Sequence, residues 1–285
     1  MRKFLTRAGH NYKESVHLLC DYTFSATVRI RIFYVFLAFF AVSHIHEFFI
    51  YKDVTDLETL WPVYWLNFFG EAKPYVIRGL MAFSLIGSIL GALFCQYRSF
   101  RIIAFLSLIQ YMGLKYSFGK TGHSLHLYLI IAFLFLFLPK NWQQVKELSK
   151  KYRYHIFMLF KTAQAMILCT YGMAGLGKIG GVIYQVFLGQ SHALSPDALE
   201  LHISDRLLQT SSNPVLGAWL IENTTFNFVM MPIAIFVQLF SFIIIFNPKW
   251  QKYWAGLLIG THVFNSLALG INFHPSVFLL GLFFF

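Results

Sequence analysis

Lys178 is the residue best suited to chemistry, and it closes the segment Ala174-Gly175-Leu176-Gly177-Lys178. The small side chains of this segment favour close packing between helices. A lysine withdrawn from water can lose its proton near neutral pH and then act as a base. The alternative is that the Lys178 side chain extends to the outer headgroups and only anchors its helix. The residue types alone leave both interpretations open.

Histidines occupy comparable positions on other apolar segments. His123 and His126 stand at the start of one segment, and His262 lies near the middle of another. An ionisable group within or beside a membrane span is costly, and is therefore a functional candidate by default. We interpret His126, His262 and Lys178 as candidates for one outward-facing polar cavity. A lone histidine at a helix end can instead lie at the membrane interface or form only a structural hydrogen bond. This alternative applies above all to His44, His46 and His274.

The spacing of these histidines does not predict a metal site. His44 and His46 are two residues apart and would point in different directions on a helix. A helical zinc pair needs a spacing of four. His123 and His126 can share a helix face, but no acidic third ligand accompanies them.

The composition indicates the elements that must position these residues. The 285 residues are 57% hydrophobic and only 12% charged, whereas about 25% charged residues is usual in soluble domains. Continuous apolar runs recur along the chain, and runs of about 20 residues can cross a bilayer as helices. The strands of a membrane β-barrel would instead alternate over about 10 residues. We therefore predict an all-α, polytopic membrane helical bundle.

The net charge of +11 has a topological explanation, because basic residues cluster in short segments between the apolar runs. This is the pattern of the positive-inside rule. It excludes nucleic acid as the expected partner and leaves the lipid bilayer. It also places the basic segment 1–30 in the cytoplasm. We expect an integral, multi-pass protein of the plasma membrane, or of the inner membrane in a bacterium.

Seven full spans and an unfinished eighth are predicted within a single domain, 1–285. The last apolar stretch begins at Pro275 and is too short to cross as a helix. An amphipathic segment, 52–75, is expected to lie in the outer interface as a re-entrant or interfacial helix. The segment 182–225 is expected to be an external loop with a short helix after Ser195-Pro196-Asp197. The full spans are 32–51, 76–97, 102–118, 126–139, 155–176, 227–246 and 253–271.

Three stretches resemble the membrane part of the vitamin K-dependent γ-glutamyl carboxylase family, known as the HTTM domain. His126-Leu127-Tyr128-Leu129 resembles the family's histidine at the start of an aromatic helix. The stretch from Tyr171 to Ile179 resembles its small-residue segment ending in a functional lysine. His262-Val263-Phe264-Asn265-Ser266 resembles its His-x-x-Asn-Ser segment. The three stretches occur in the family's order, and the resemblance extends from about residue 25 to the end.

This resemblance implies a single HTTM-like domain and a quinone-linked chemistry. Lys178 would be the base that starts the oxygenation of reduced vitamin K, a menaquinol-like cofactor. His126 and His262 would assist by hydrogen bonding or charge stabilisation. The resemblance further assigns His123, Tyr128 and Asn265 to cofactor binding. The implied activity is a carboxylase or epoxidase, a lyase-type modification of a secreted peptide or protein.

Three hypotheses for the function follow. The first is a membrane enzyme acting with a lipid-soluble quinone, with Lys178 as base. The second is a non-catalytic maturation or export factor for a secreted peptide or toxin, which would not need Lys178. The third is a transporter, which would need inverted repeats and helices broken at mid-membrane. The sequence shows neither of these features, although the stretch from Gly172 to Gly181 could interrupt a helix.

Overall fold

The computed structural model describes residues 2–43, 59–117, 124–210, 214–271 and 273–285. In these ranges the regular structure is helical, which confirms the all-α prediction for the described part of the chain. A short 3₁₀ helix, η1, covers Tyr64–Ala72 within the segment predicted to be interfacial. The α-helices are α1 (Arg2–Ser43), α2 (Lys73–Phe94), α3 (Arg98–Ser117), α4 (Ser124–Phe135), α5 (Lys150–Phe187), α6 (Ala198–Thr210), α7 (Gly217–Glu222), α8 (Thr224–Ile244), α9 (Pro248–Leu269) and α10 (His274–Phe284).

Among the described residues, three helical segments are long and apolar enough to cross a membrane. They are Cys20–Ser43, Tyr64–Phe94 and Lys150–Phe187. Shorter apolar helices cover Leu125–Phe135, Phe228–Ile244 and His274–Phe284. The predicted count of seven full spans goes beyond these three helices and stays a prediction.

The chain divides into two compact units, Met1–Ala163 and Gln164–Phe285. The boundary falls inside the 38-residue helix α5. This helix runs without interruption through the glycine-rich stretch from Gly172 to Gly181. The stretch that a transporter could have used as a break is therefore helical.

Small side chains and one buried arginine hold the first unit together. The Ser84 hydroxyl of α2 donates to the carbonyl of Ser107 on α3 at 3.1 Å. A Cβ at Gly91 would come within 2.5 Å of the Ala104 side chain, so only glycine allows this approach of α2 to α3. Arg101 is 1% exposed and donates to the carbonyls of Cys95, Gln96 and Leu138 at 2.9 to 3.0 Å. These bonds satisfy carbonyl groups that follow the ends of α2 and α4.

Close contact between α5 and α8 organises the second unit. A Cβ at Gly175 would lie 2.5 Å from the backbone nitrogen of Leu239, and one at Gly172 would lie 2.5 Å from the ring of Phe242. The buried Gln164 of α5 donates to the carbonyl of Phe283 at the end of α10. A further cluster joins α6, α7 and α9 through the buried side chains of Leu199, Ile203, Leu220 and Ala268.

Candidate functional site

A short hydrogen bond between α5 and α9 forms the centre of the candidate site in the second unit. The Tyr171 hydroxyl and the Nε2 atom of His262 are 2.6 Å apart. Both side chains are buried, with exposures of 8% for Tyr171 and 6% for His262. Polar groups that are withdrawn from solvent in this way must form their hydrogen bonds within the protein. Tyr171 therefore fixes the orientation of the His262 imidazole.

The turn between α9 and α10 brings two further side chains to this pair. Gly270 ends α9 with a φ of 64°, a left-handed conformation that glycine adopts without steric cost. After this turn, the Phe273 ring lies 4.6 Å from the imidazole of His262, measured between ring centroids. The Ser276 side chain lies beside the Tyr171 side chain. Three helices thus contribute to one polar network, Tyr171, His262 and Ser276.

One polar atom of this network remains unused. The Nδ1 atom of His262 is buried and has no hydrogen-bond partner in the part of the chain that the structure describes. In a neutral imidazole one nitrogen donates and the other accepts, so either assignment leaves Nδ1 with a hydrogen bond to make. A buried polar atom in this condition costs free energy. It is the position where a polar group of a ligand would be stabilised.

Lys178 lies on the same helix as Tyr171. It follows Tyr171 by seven residues, which is two turns of α5, so both belong to one face of the helix. The Lys178 side chain is exposed. A Cβ at Gly177, Gly180 or Gly181 would meet no atom within 4 Å. Among the described residues, nothing therefore covers the α5 surface at these three glycines.

His126 belongs to the first unit and has a different environment. Its imidazole stacks on the ring of Tyr116 with 5.2 Å between ring centroids. The Tyr116 hydroxyl and the Nδ1 atom of His126 are 3.4 Å apart, at the long end of hydrogen bonding. The side chain of His126 is half-buried. The prediction that His126 shares a cavity with Lys178 and His262 stays a prediction.

The residues assigned to cofactor binding fall in separate places. Tyr128 is 1% exposed, and its ring stacks against Phe33 and Phe36 of α1 at 5.9 and 5.7 Å. Asn265 is half-buried on α9, one turn after His262. His123 lies outside the described residues, as do His44 and His46. The assignment of Tyr128, Asn265 and His123 to cofactor binding stays a prediction.

Tyr171 and Ser276 are functional candidates that the sequence reasoning did not select. Tyr171 lies inside the segment that carries the resemblance, but the resemblance implies a role only for Lys178 in that segment. The signal was the spacing of seven between the two, which aligns them on a helix. Ser276 carried no such signal, since its contact with Tyr171 joins residues 105 positions apart.

Among the described residues, no group of three or more His, Cys, Asp or Glu side chains is placed to hold a metal ion.

Comparison of the chain with protein-family models, with curated proteins and with solved structures finds no match. The family resemblance therefore rests on the three quoted stretches alone. Because fold does not determine function, the function has to be argued from the side chains of the site.

Proposed function

We propose that this chain is a multi-pass membrane enzyme that removes a proton from a lipid-soluble quinol, with Lys178 as the base. The observation that carries the proposal is the buried Tyr171–His262 pair with its unpartnered Nδ1 atom, since Tyr171 lies two turns from Lys178 on the same helix. Ionisable groups are rare in membrane-spanning helices, and where they occur they mark proton and substrate pathways. A base beside an ordered polar network fits that description.

The membrane setting is supported by the three helices that are long and apolar enough to cross a bilayer. We further propose the full topology of seven spans, with an unfinished eighth and the basic N-terminus in the cytoplasm. In this orientation α5 begins inside, at Lys150, and carries Lys178 towards the outer side. A substrate dissolved in the outer leaflet would then reach Lys178 without crossing the membrane.

The residues of the second unit fit a reduced quinone. The unused Nδ1 atom of His262 offers a hydrogen bond to a quinol oxygen, and Phe273 offers an aromatic face beside it. The glycines around Lys178 leave the α5 surface open to a flat ring. When bound, a reduced quinone would supply a weakly acidic hydroxyl group. Ligand sites of this kind are mostly apolar, with a few polar groups that set the orientation.

Four residues of the chain would have separate roles in the proton transfer. The Lys178 amine, in its neutral form, accepts the proton on Nζ and becomes a cation. His262 holds the hydroxyl oxygen through Nδ1 and is itself oriented by Tyr171. Ser276 supports Tyr171, so the imidazole cannot turn away while the proton moves. Such preorganisation lowers the cost of positioning in the reactive complex.

A direct test measures quinone turnover by the purified protein. The reaction contains reduced vitamin K, oxygen, labelled bicarbonate and a peptide that contains glutamate. We expect turnover by the wild type and a fall of roughly 10²- to 10⁴-fold in Lys178→Ala, the range for loss of a general base. Lys178→Arg keeps the charge but cannot act as a base, and should be as inactive as the alanine variant.

Lys249→Ala is the matched control, since Lys249 is exposed at the start of α9. Its turnover should equal that of the wild type. Absence of quinone turnover in the wild type would contradict the enzyme assignment. Full turnover by Lys178→Ala would contradict the role of Lys178 and leave the quinone chemistry to other residues.

A second candidate is the non-catalytic maturation or export factor. It is favoured by exposed apolar side chains on the 182–225 segment, among them Leu208 at 85% and Val215 at 81% exposure. An exposed apolar surface of this kind suits the binding of a peptide. This function requires no base. The maturation of an exported peptide in cells would therefore be unchanged in Lys178→Ala and reduced in Leu208→Glu.

A further inference from the structure

A cleft of about 1160 Å³ lies in the first unit, and its lining includes no residue of the Tyr171–His262–Ser276 network. It is bounded by the first turn of α3, by the loop from Leu138 to Ser149 and by the start of α5. Cavities that bind small ligands in proteins measure roughly 300 to 1,000 Å³. The cleft is therefore large enough for a lipid headgroup or a molecule of similar size.

The charges around this cleft favour an anion. Three cationic residues, Arg98, Arg101 and Lys140, and one acidic residue, Glu147, are among those that line it. Arg98 and Lys140 are exposed and can turn towards a ligand. Because both line the same cleft, one phosphate group bound there can attract a guanidinium and an ammonium together.

Arg101 adds a fixed positive charge to the lining of the cleft. Its guanidinium donates to the backbone carbonyls of Cys95, Gln96 and Leu138, which carry no formal charge. Its buried Nε atom has no hydrogen-bond partner among the described residues. The positive charge of Arg101 is thus held in place by neutral groups. The amino end of α3, with its helix dipole, adds to the attraction for an anion.

A second, smaller cavity of about 490 Å³ adjoins the first. Pro139 and Tyr152 line both cavities, so the two lie side by side. The smaller cavity is lined largely by apolar and aromatic side chains, including Phe137, Tyr154 and Met158. A polar, cationic cleft beside an apolar cavity matches a molecule with an anionic head and a hydrocarbon tail.

We propose that these two adjoining cavities bind one anionic phospholipid. Its phosphate contacts Arg98 and Lys140, and one acyl chain lies along Phe137, Tyr154 and Met158. Basic pockets on the cytoplasmic side of membrane helices are suited to such headgroups. The positive-inside rule places both the Arg98 turn and the Lys140 loop on that side. This site is independent of the proposed quinol chemistry, and its test does not require catalytic turnover.

The experiment is a lipid titration of the full chain in detergent, followed by native mass spectrometry. The probes are dioleoylphosphatidylglycerol, which is anionic, dioleoylphosphatidylcholine, which is zwitterionic, and glycerol 3-phosphate, which has no acyl chain. We expect the anionic lipid to bind about tenfold more tightly than the zwitterionic one. The double variant Arg98→Gln with Lys140→Gln should lower that affinity roughly tenfold or more and leave phosphatidylcholine binding unchanged.

The matched control carries Lys146→Gln and Lys249→Gln, which remove the same charge from exposed positions outside the lining. Its affinity for the anionic lipid should stay within about threefold of the wild type, because these charges act only through screened, long-range attraction. An equal loss in the control would overturn the site and indicate unspecific surface attraction. Equal binding of the two lipids by the wild type would overturn it as well.

Two further outcomes of the lipid titration would also decide against the phospholipid site. Displacement of the lipid by an equal concentration of glycerol 3-phosphate would show a phosphate site without a role for the acyl chain, and would overturn the lipid assignment. Should the double variant fail to fold, as seen from its helical circular dichroism, Arg98→Gln alone replaces it. A single variant with unchanged lipid affinity would then contradict the proposal.

Discussion

The imidazole of His262 is oriented by one hydrogen bond and one aromatic contact. Tyr171 holds the Nε2 atom at 2.6 Å, and the Phe273 ring lies beside the imidazole. The Nδ1 atom has no partner within the described residues. Loss of the Tyr171 hydroxyl would therefore leave both nitrogens of a buried ring unsatisfied. At the residue scale, Tyr171 is a positioning residue that acts through His262.

We predict that Tyr171→Phe lowers the free energy of unfolding by about 1 to 2 kcal/mol. The substitution removes one buried hydrogen bond between helices, and such a bond contributes modestly to stability in membranes. It also leaves the His262 nitrogen without a partner, which adds to the cost. The measurement is thermal unfolding of the purified protein in detergent. Tyr184→Phe is the control, because Tyr184 lies on the same helix and is 66% exposed. Equal stability of Tyr171→Phe and the wild type would show that the bond contributes nothing.

A second prediction at this scale concerns Cys95, which lies in the turn between α2 and α3. The side chain is 3% exposed, so a reagent in solution reaches the thiol only when this turn opens. Iodoacetamide should therefore modify Cys95 more slowly than the partly exposed Cys20 at every pH tested.

Peptide mass spectrometry after timed alkylation at several pH values checks this. In denaturing detergent the two cysteines should react at similar rates, because unfolding removes the burial. Faster modification of Cys95 than of Cys20 at pH 7 in the folded protein would contradict the prediction.

At the scale of the elements, two neighbouring glycines of α5 have opposite environments. Gly175 faces the backbone of α8, where a Cβ would lie 2.5 Å from the nitrogen and 2.7 Å from the Cα of Leu239. A Cβ at Gly177 would meet no described atom within 4 Å. The close approach of α5 and α8 thus depends on Gly175, as is common where membrane helices pack through small residues.

We expect Gly175→Ala to lower the free energy of unfolding by about 1 to 3 kcal/mol, the usual cost of overpacking. Backbone atoms cannot move aside as a flexible side chain can, so α8 would have to shift. Gly177→Ala should be neutral or stabilising by up to about 1 kcal/mol, because alanine favours the helix. Denaturant unfolding in micelles measures both. Equal effects of the two substitutions would contradict the close packing of α5 on α8 at Gly175.

The apolar pattern predicted where helices occur better than where they end. The run 155–176 lies inside α5, but the helix extends from Lys150 to Phe187. Hydropathy reports on residues that prefer lipid, whereas a polar or glycine-containing flank can continue the same helix once tertiary contacts support it. The close packing expected of Ala174 to Lys178 did appear, at Gly175. That inference was local, because small residues permit contact wherever a partner helix is available.

The candidate site was predictable only in part, because the sequence pattern reports on local properties and not on contacts between distant helices. Lys178 and His262 stand out in the sequence because ionisable groups are unusual in apolar runs, and their joint role in one cavity stays a prediction. The hydrogen bond of Tyr171 to His262 joins helices that are far apart in the sequence. No spacing within one helix encodes such a contact. The role of His126 in the same chemistry stays a prediction.

At the scale of the whole molecule, the orientation of α5 in the membrane decides which leaflet each proposed site faces. Among the described residues, α5 is the one candidate span that separates Lys146 from Asp197. Basic residues precede it and the 182–225 segment follows it, so the positive-inside rule predicts Lys146 inside and Asp197 outside. Both side chains are exposed and suitable for labelling.

We predict opposite accessibility for cysteines placed at these two positions in a chain whose three native cysteines are replaced by alanine. A membrane-impermeant maleimide should label Asp197→Cys in intact cells. Lys146→Cys should be labelled only after the membrane is permeabilised. The reverse result would invert the orientation of α5 and move Lys178 towards the cytoplasm. Labelling of both in intact cells would show that α5 does not cross the membrane, and the proposed approach of a quinol from the outer leaflet would then be wrong.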